Sequence, residues 1–335
     1  MSIFSDLTID ASKFDTASVT EATKQVNEVL EYASTNGPRW YEVGAATYRE
    51  MHLQGKLALP APIYLSDAID ATIPSRDISR EIPIRLYKPD NGIPSKGVFI
   101  HIHGGGFVLG DEKSSDKTLQ RYANEFNLTA ISIGYRHAPE DPYPAAVHDC
   151  IDVAEHLIDH PADYGPVKFI GGESAGATLS LLTTLHLFTS RPNHAFSGLV
   201  LQFGIYDLSL GLPAIINSTR PLMINRLAMQ HFMDAFLPGL STAERRSTTV
   251  SPLFANLPAL ARATQRGLPP ALFVVGTEDC LLDDSLLMGL KWSAAGGESV
   301  VKVFPGAAHG FTVLDAPVAV EGRGVCLQFI RNKLE

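Results

Sequence analysis

The chain has 335 residues, 45% of them hydrophobic and 19% charged, a balance that excludes intrinsic disorder. No stretch approaches the roughly 20 uninterrupted apolar residues of a membrane helix, which excludes a membrane span. With 27 Lys and Arg against 36 Asp and Glu the net charge is −9, which argues against nucleic acid as a partner, because each neutralised phosphate needs a cation. Cys150, Cys280 and Cys326 are too few and too scattered for a disulfide framework, and none forms a CxxC pair. The segment from Met1 to Asp10 lacks the basic and apolar regions of a secretory signal, so a reduced, cytoplasmic setting is expected. One large α/β unit with a lid accounts for the length without a second, unrelated domain.

In chain order, Ser18-Val-Thr-Glu21 reads as a capping box, after which Val26, Val29, Leu30 and Ala33 recur at helical spacing until Asn36-Gly37-Pro38. A weaker helical pattern covers about 41–54 and is broken at Pro60-Ala-Pro62, so residues 1–60 read as a helical segment ahead of the main fold, 61–335. The texture then changes. Strands are predicted at 78–87, 97–103, 128–135, 167–171, 198–206, 271–276 and 300–304, with helices at about 146–160, 175–190, 283–295 and 317–333. Short apolar strands separated by helices imply a mostly parallel sheet covered on both faces, which is the α/β class. Residues 208–268 interrupt the alternation without a strand, and within them Met229, Phe232, Met233 and Phe236 share one helix face. Such a face suits a pliable pocket wall, and equally suits packing of the insertion onto the sheet.

The chemistry is concentrated in a few short runs. Gly172-Glu-Ser174-Ala-Gly176 follows a predicted strand and opens a predicted helix. A nucleophilic serine on so tight a turn needs small residues two before and two after it, and the helix's positive end then faces developing oxyanion charge. Upstream, His101-Ile-His103-Gly-Gly-Gly106-Phe107 offers consecutive glycines whose N–H groups can approach a substrate oxygen unobstructed, as an oxyanion hole requires. His101 and His103 share a strand face but have no third ligand nearby for a metal, and the glycine run fits no phosphate-binding pattern. A carboxylate and a histidine must follow the serine in that order. The strand at 271–276 leads into Thr277-Glu-Asp279, where Asp279 is the preferred acid and Glu278 and Asp283 stand as rivals. Of the 11 histidines, His309 stands apart, in a loop after the last predicted strand and free to project into a site.

His103-Gly-Gly-Gly106, Tyr135-Arg-His-Ala-Pro-Glu140, Tyr143-Pro-Ala-Ala146, Gly172-Glu-Ser174-Ala-Gly176, Ser251-Pro-Leu253, Asp279-Cys-Leu-Leu-Asp283 and His309-Gly-Phe311 occur in one order over residues 80–335. Together they resemble the hormone-sensitive-lipase-like branch of the α/β-hydrolases. The resemblance implies a serine carboxylesterase with an eight-stranded core and a helical cap built from the N-terminal segment and the insertion. It implies Ser174, Asp279 and His309 as the triad, the N–H groups of Gly105, Gly106 and Ala175 as the oxyanion hole, and Gly104 as a loop-shaping residue. Two positions depart from the branch: Glu173 stands where Asp is frequent, and His137 where the motif usually has Leu. A small hydrophobic ester is the expected substrate, with no metal or organic cofactor. Oligomeric state is not legible, and a homodimer stays open.

Overall fold

The computed structural model describes residues 8–58 and 61–335. Most of the opening segment read for a secretory signal, and Pro60 of the helix-breaking run, lie outside the described residues. Eight strands form one sheet: β1 (Ile69–Pro74), β2 (Glu81–Tyr87), β3 (Val98–Ile102), β4 (Thr129–Ile133), β5 (Val167–Glu173), β6 (Gly198–Gln202), β7 (Ala271–Gly276) and β8 (Ser299–Phe304), in the order β1-β2-β4-β3-β5-β6-β7-β8. The pairs β1/β2 and β2/β4 are antiparallel and the rest parallel. Every residue of β3, β4, β6 and β7 is buried, because helices cover both faces and alternate side chains enter different cores. Ile100 and Ile102 join the cluster beneath helices Ala145–Asp159 and Ala175–Ser190, whereas Phe99 joins the one beneath Asp116–Phe126 and Pro317–Leu334.

Sequence periodicity locates seven strands and misses β1, an edge strand in which only Ile73 is fully enclosed, so no apolar run marks it. The strand expected from residue 78 begins at Glu81, since Ile78 is 97% exposed in the preceding turn. The strand expected to reach residue 206 ends at Gln202, because Phe203 takes a φ of 39° and turns the chain out of the sheet. The Ser18-to-Glu21 capping box is not formed. Helix Glu21–Asn36 is capped by Thr20, whose hydroxyl accepts from Thr23 N at 3.2 Å, while Ser18 sits in a preceding turn and donates to Ser12 O. The second N-terminal helix is two, Trp40–Val43 and Ala45–Leu53, parted at Gly44 with φ 89°.

Residues 208–268 add no strand, and their base is closed by the Ser251-Pro-Leu253 run. Ser251 Oγ accepts from Leu208 N at 2.8 Å and donates to Arg245 O at 2.6 Å, and Leu253 N donates to Tyr206 O at 3.0 Å. On helix Arg226–Phe236 the four side chains Met229, Phe232, Met233 and Phe236 are all buried. Phe236 stacks on Phe107 of the loop after β3 at 3.9 Å, and Phe232 stacks on Trp40 at 4.9 Å. Tyr41 stacks on His231 at 3.8 Å, and Arg220 pairs with Glu31 at 2.8 Å. The insertion thus rests on the N-terminal segment and on the loop that follows β3. Among the described residues no helix is long and apolar enough to cross a membrane.

Fully buried Asp149, on helix Ala145–Asp159, fastens the loop after β4 to the turn before β2. It accepts from both terminal nitrogens of Arg80 at 2.7 Å, and from Arg136 N, Nε and Nη2 at 2.9, 3.0 and 2.8 Å. Removing one partner from a buried pair costs far more than an exposed pair is worth. Asp149→Asn is expected to destabilise the chain by about 3 kcal/mol, the low end of the usual range since both guanidinium groups are partly exposed. Urea unfolding monitored by circular dichroism reads this out, and an unchanged midpoint would contradict it.

Candidate active site

At the end of β5 the chain reverses into helix Ala175–Ser190 through Ser174 alone, at φ 53° and ψ −119°. A side-chain-bearing residue held there costs of order 1–3 kcal/mol, sustained only by rigid surroundings. Ser174 N donates to Gln202 O at 2.9 Å, tying the turn to β6. The flanking glycines are dictated by contact: a Cβ on Gly172 would lie 2.0 Å from the Ile102 carbonyl oxygen, and one on Gly176 only 1.9 Å from it. Ser174 is half-buried at the mouth of this turn.

Three strand-end loops converge on that hydroxyl. His309, in the loop after β8, places Nε2 2.9 Å from Ser174 Oγ, and its Nδ1 lies 2.9 Å from Asp279 Oδ2 and 3.1 Å from Oδ1. A carboxylate only accepts, so Nδ1 carries the ring proton and Nε2 faces the hydroxyl as an acceptor. Asp279, three residues past β7, is buried, and its Oδ1 also accepts from Leu281 N at 2.9 Å. The rival acids lie elsewhere: Glu278 points to Arg220 at 3.7 Å, and Asp283 accepts from Ala214 N at 2.8 Å. Phe203 sets its ring edge-on to His309 at 5.0 Å, a contact no sequence pattern announces.

The glycine loop runs beside the serine. A Cβ on Gly104 would lie 2.8 Å from Glu173 O, so only glycine lets the loop pass the elbow this closely. Gly105 and Gly106 take φ of 115° and 62°. The Gly105 carbonyl accepts from Val108 N at 3.1 Å and Leu109 N at 2.8 Å, whereas the N–H groups of Gly105, Gly106 and Ala175 donate to no acceptor among the described residues. Phe232 of the insertion lies on Gly106, where a Cβ would meet its ring at 2.3 Å.

The remaining motif residues form the floor. His101 is buried between Ser132 Oγ, 3.0 Å from Nδ1, and the Glu173 carboxylate, 3.1 and 3.2 Å from Nε2, so both ring nitrogens are engaged within the protein. Glu173, the departure beside the serine, therefore closes a polar ladder across the ends of β4, β3 and β5. His103 Nδ1 donates to Gly104 O at 2.8 Å, its ring stacks on Tyr135 at 4.2 Å, and His137 stands edge-on at 5.4 Å. The Nε2 atoms of His103 and His137 are buried with no hydrogen-bond partner among the described residues.

A mostly parallel eight-stranded sheet carrying hydroxyl, carboxylate and imidazole on the loops after β5, β7 and β8 defines a hydrolase of the α/β class. The family model described as alpha/beta hydrolase fold matches residues 99–313, and the chain belongs to that family. Its motifs resemble those of the hormone-sensitive-lipase-like branch. Carboxylesterase NlhH of Mycobacterium tuberculosis is 28% identical over 262 residues, 76% of this chain and 79% of that protein. An acetyl esterase of Salmonella typhi is 26% identical over 304 residues, 88% of each chain. Among solved structures, a hyperthermophilic esterase from the archaeon Pyrobaculum calidifontis matches with a TM-score of 0.75 at 25% identity, covering 93% of this chain and 96% of that one.

Burial pushes the His103 imidazole down to about 4 and that of His137 down to about 3, from 6.5. Below pH 6.5 the unfolded chain therefore takes up protons that the native floor refuses. The unfolded state binds more protons in that window, so stability is full above 6.5 and is lost as pH falls toward about 4. His137→Leu removes one such group together with an unpartnered buried nitrogen. Urea midpoints measured from pH 7 to 4 should fall less steeply in the variant than in the parent; parallel curves would contradict this.

Proposed function

We propose that this chain is a serine carboxylesterase for short-chain or small hydrophobic esters, with Ser174 as nucleophile, His309 as general base and acid, and Asp279 as the group orienting the imidazole. The observation that carries the reading is the unbroken hydrogen-bond chain from Ser174 Oγ through both nitrogens of His309 to Asp279, on a strained turn at a helix start. Ser174 Oγ attacks the ester carbonyl carbon as its proton passes to His309 Nε2, and the carbonyl π pair becomes an oxyanion. The free N–H groups of Gly105, Gly106 and Ala175 supply its donors. Collapse of this tetrahedral species breaks the carbon–oxygen bond to the alcohol, which leaves with the proton from Nε2. Water then adds to the acyl-serine, giving its proton to Nε2, and a second collapse releases the acid and returns the proton to Ser174.

The same proposal assigns residues 1–60 and 208–268 to one cap and the rest to the catalytic domain. Its support is the contact of Trp40 with Phe232, of Tyr41 with His231 and of Glu31 with Arg220. A small acyl group is favoured because Phe232 lies on the glycine loop and Phe203 beside His309, and because one relative is named as an acetyl esterase. A cytoplasmic setting belongs to this reading, supported by three free and buried cysteines.

Ser174→Ala is expected to lower kcat on p-nitrophenyl acetate by about 10⁶-fold, and Asp279→Asn by about 10⁴-fold through loss of the correct tautomer. Steady-state rates decide both, and parental turnover in the Ser174 variant would refute the mechanism. Across p-nitrophenyl esters from acetate to palmitate, kcat/KM should peak at the short end; a maximum at palmitate would refute the small-substrate assignment.

A further inference from the structure

The oxyanion reading places a demand on the loop that follows β3. In a trans peptide the carbonyl and the N–H point in opposite directions, so the direction of the Gly106 N–H is set by whatever holds the Gly105 carbonyl. That carbonyl accepts from Val108 N and Leu109 N, at 3.1 and 2.8 Å. The small turn they form is in turn held from outside. Arg49, on the N-terminal helix Ala45–Leu53, donates from Nε to Val108 O at 2.8 Å and from Nη2 to Ala138 O at 3.2 Å. Ala138 N donates to Phe107 O at 2.9 Å. One guanidinium therefore grips both the glycine-loop turn and the segment that seconds it.

Glu140 fixes the orientation of that fork, accepting from Arg49 Nη1 at 3.0 Å and Nη2 at 2.8 Å. The Glu140 side chain is 48% exposed, and an ion pair so open to water holds little by itself. The consequence of Arg49 thus lies in its two carbonyl bonds. Only a planar fork makes them while paired with a carboxylate; an ammonium has no such geometry. Arg49 is 59 residues from Val108 in sequence, and no motif includes it.

We propose that Arg49 is a positioning residue for the oxyanion hole, by which the N-terminal segment sets the direction of the Gly106 N–H without touching substrate. The inference rests on the oxyanion role assigned above to that N–H. Arg49 then acts on the transition state and not on substrate binding, so kcat moves and KM does not.

The test compares the parent with Arg49→Met, which keeps the apolar stem, and Arg49→Lys. Rates on p-nitrophenyl acetate are expressed per active site titrated with a fluorophosphonate, and each protein is inhibited with an aryl trifluoromethyl ketone, which adds to Ser174 and carries an oxyanion. For Arg49→Met, kcat per titrated site should fall about 10- to 100-fold, less than the roughly 10²- to 10³-fold of losing a donor outright, with KM changed by less than about threefold. The ketone's Ki should rise by the same factor as kcat falls, and Arg49→Lys should lie between. A loss confined to the number of titratable sites, or a kcat and Ki both within about twofold of the parent, would overturn the proposal. If Arg49→Met does not fold, Arg49→Lys decides: parallel shifts of about threefold or more support it and unchanged values overturn it. A parent protein that neither hydrolyses the ester nor binds the ketone would instead refute the esterase reading itself, and this inference with it.

Discussion

The carbonyl oxygen of Ile102 lies between Gly172 and Gly176, so close to both that a methyl group on either would overlap it. Much else in the site depends on this approach. Ile102 is paired with Gly172 across β3 and β5, and immediately beyond it one strand becomes the glycine loop while the other becomes the serine turn. With Gly104 against the Glu173 carbonyl, three positions are stripped of side chains where two backbones meet. The hydroxyl and the free N–H groups are thereby held by main chain, which has little freedom to relax. The parallel order β5-β6-β7-β8 then carries Asp279 and His309 to the same edge. Ligands in open α/β sheets gather at that edge because each parallel strand delivers its following loop there.

Four histidines illustrate how environment, and not residue type, assigns a role. His309 and His101 each lie between a carboxylate and a hydroxyl, but the hydroxyl at His309 belongs to half-buried Ser174, whereas the one at His101 belongs to fully buried Ser132. His101 has its two nitrogens engaged by Ser132 and Glu173 and spans the ends of three strands. Glu173 is long enough to reach that ring from the position beside Ser174, which gives the departure from Asp a structural role. His103 and His137 each keep a buried nitrogen without a partner among the described residues, and burial holds both neutral where an exposed imidazole would charge.

The N-terminal segment and the insertion meet above the glycine loop through ring stacking, Trp40 on Phe232 and Phe107 under Phe236. Aromatic faces make large contacts with little side-chain entropy to lose, a suitable joint between two segments nearly two hundred residues apart in sequence. The apolar face of helix Arg226–Phe236, ambiguous in sequence between pocket wall and packing surface, belongs to the core and presents Phe232 to Gly106.

By itself the sequence determined what is local. Strands buried on both faces read as continuous apolar runs, and the serine turn, the glycine loop and the histidine loop each complete their pattern within ten residues, so each could be picked out without the fold. Edge strand β1 was not legible, because exposure removes the apolar signal, and the first long helix is capped by Thr20 and not Ser18 because Ser18 belongs to the preceding turn and its hydroxyl bonds Ser12 O. Tertiary structure alone decided which of three nearby carboxylates faces His309, a contact across 30 residues, which ring Glu173 meets, across 72, and that Arg49 grips Val108, across 59. Those choices depend on distances between elements remote in the chain. Such distances follow from how the two cores pack against the sheet, and no periodicity or spacing in the sequence encodes them.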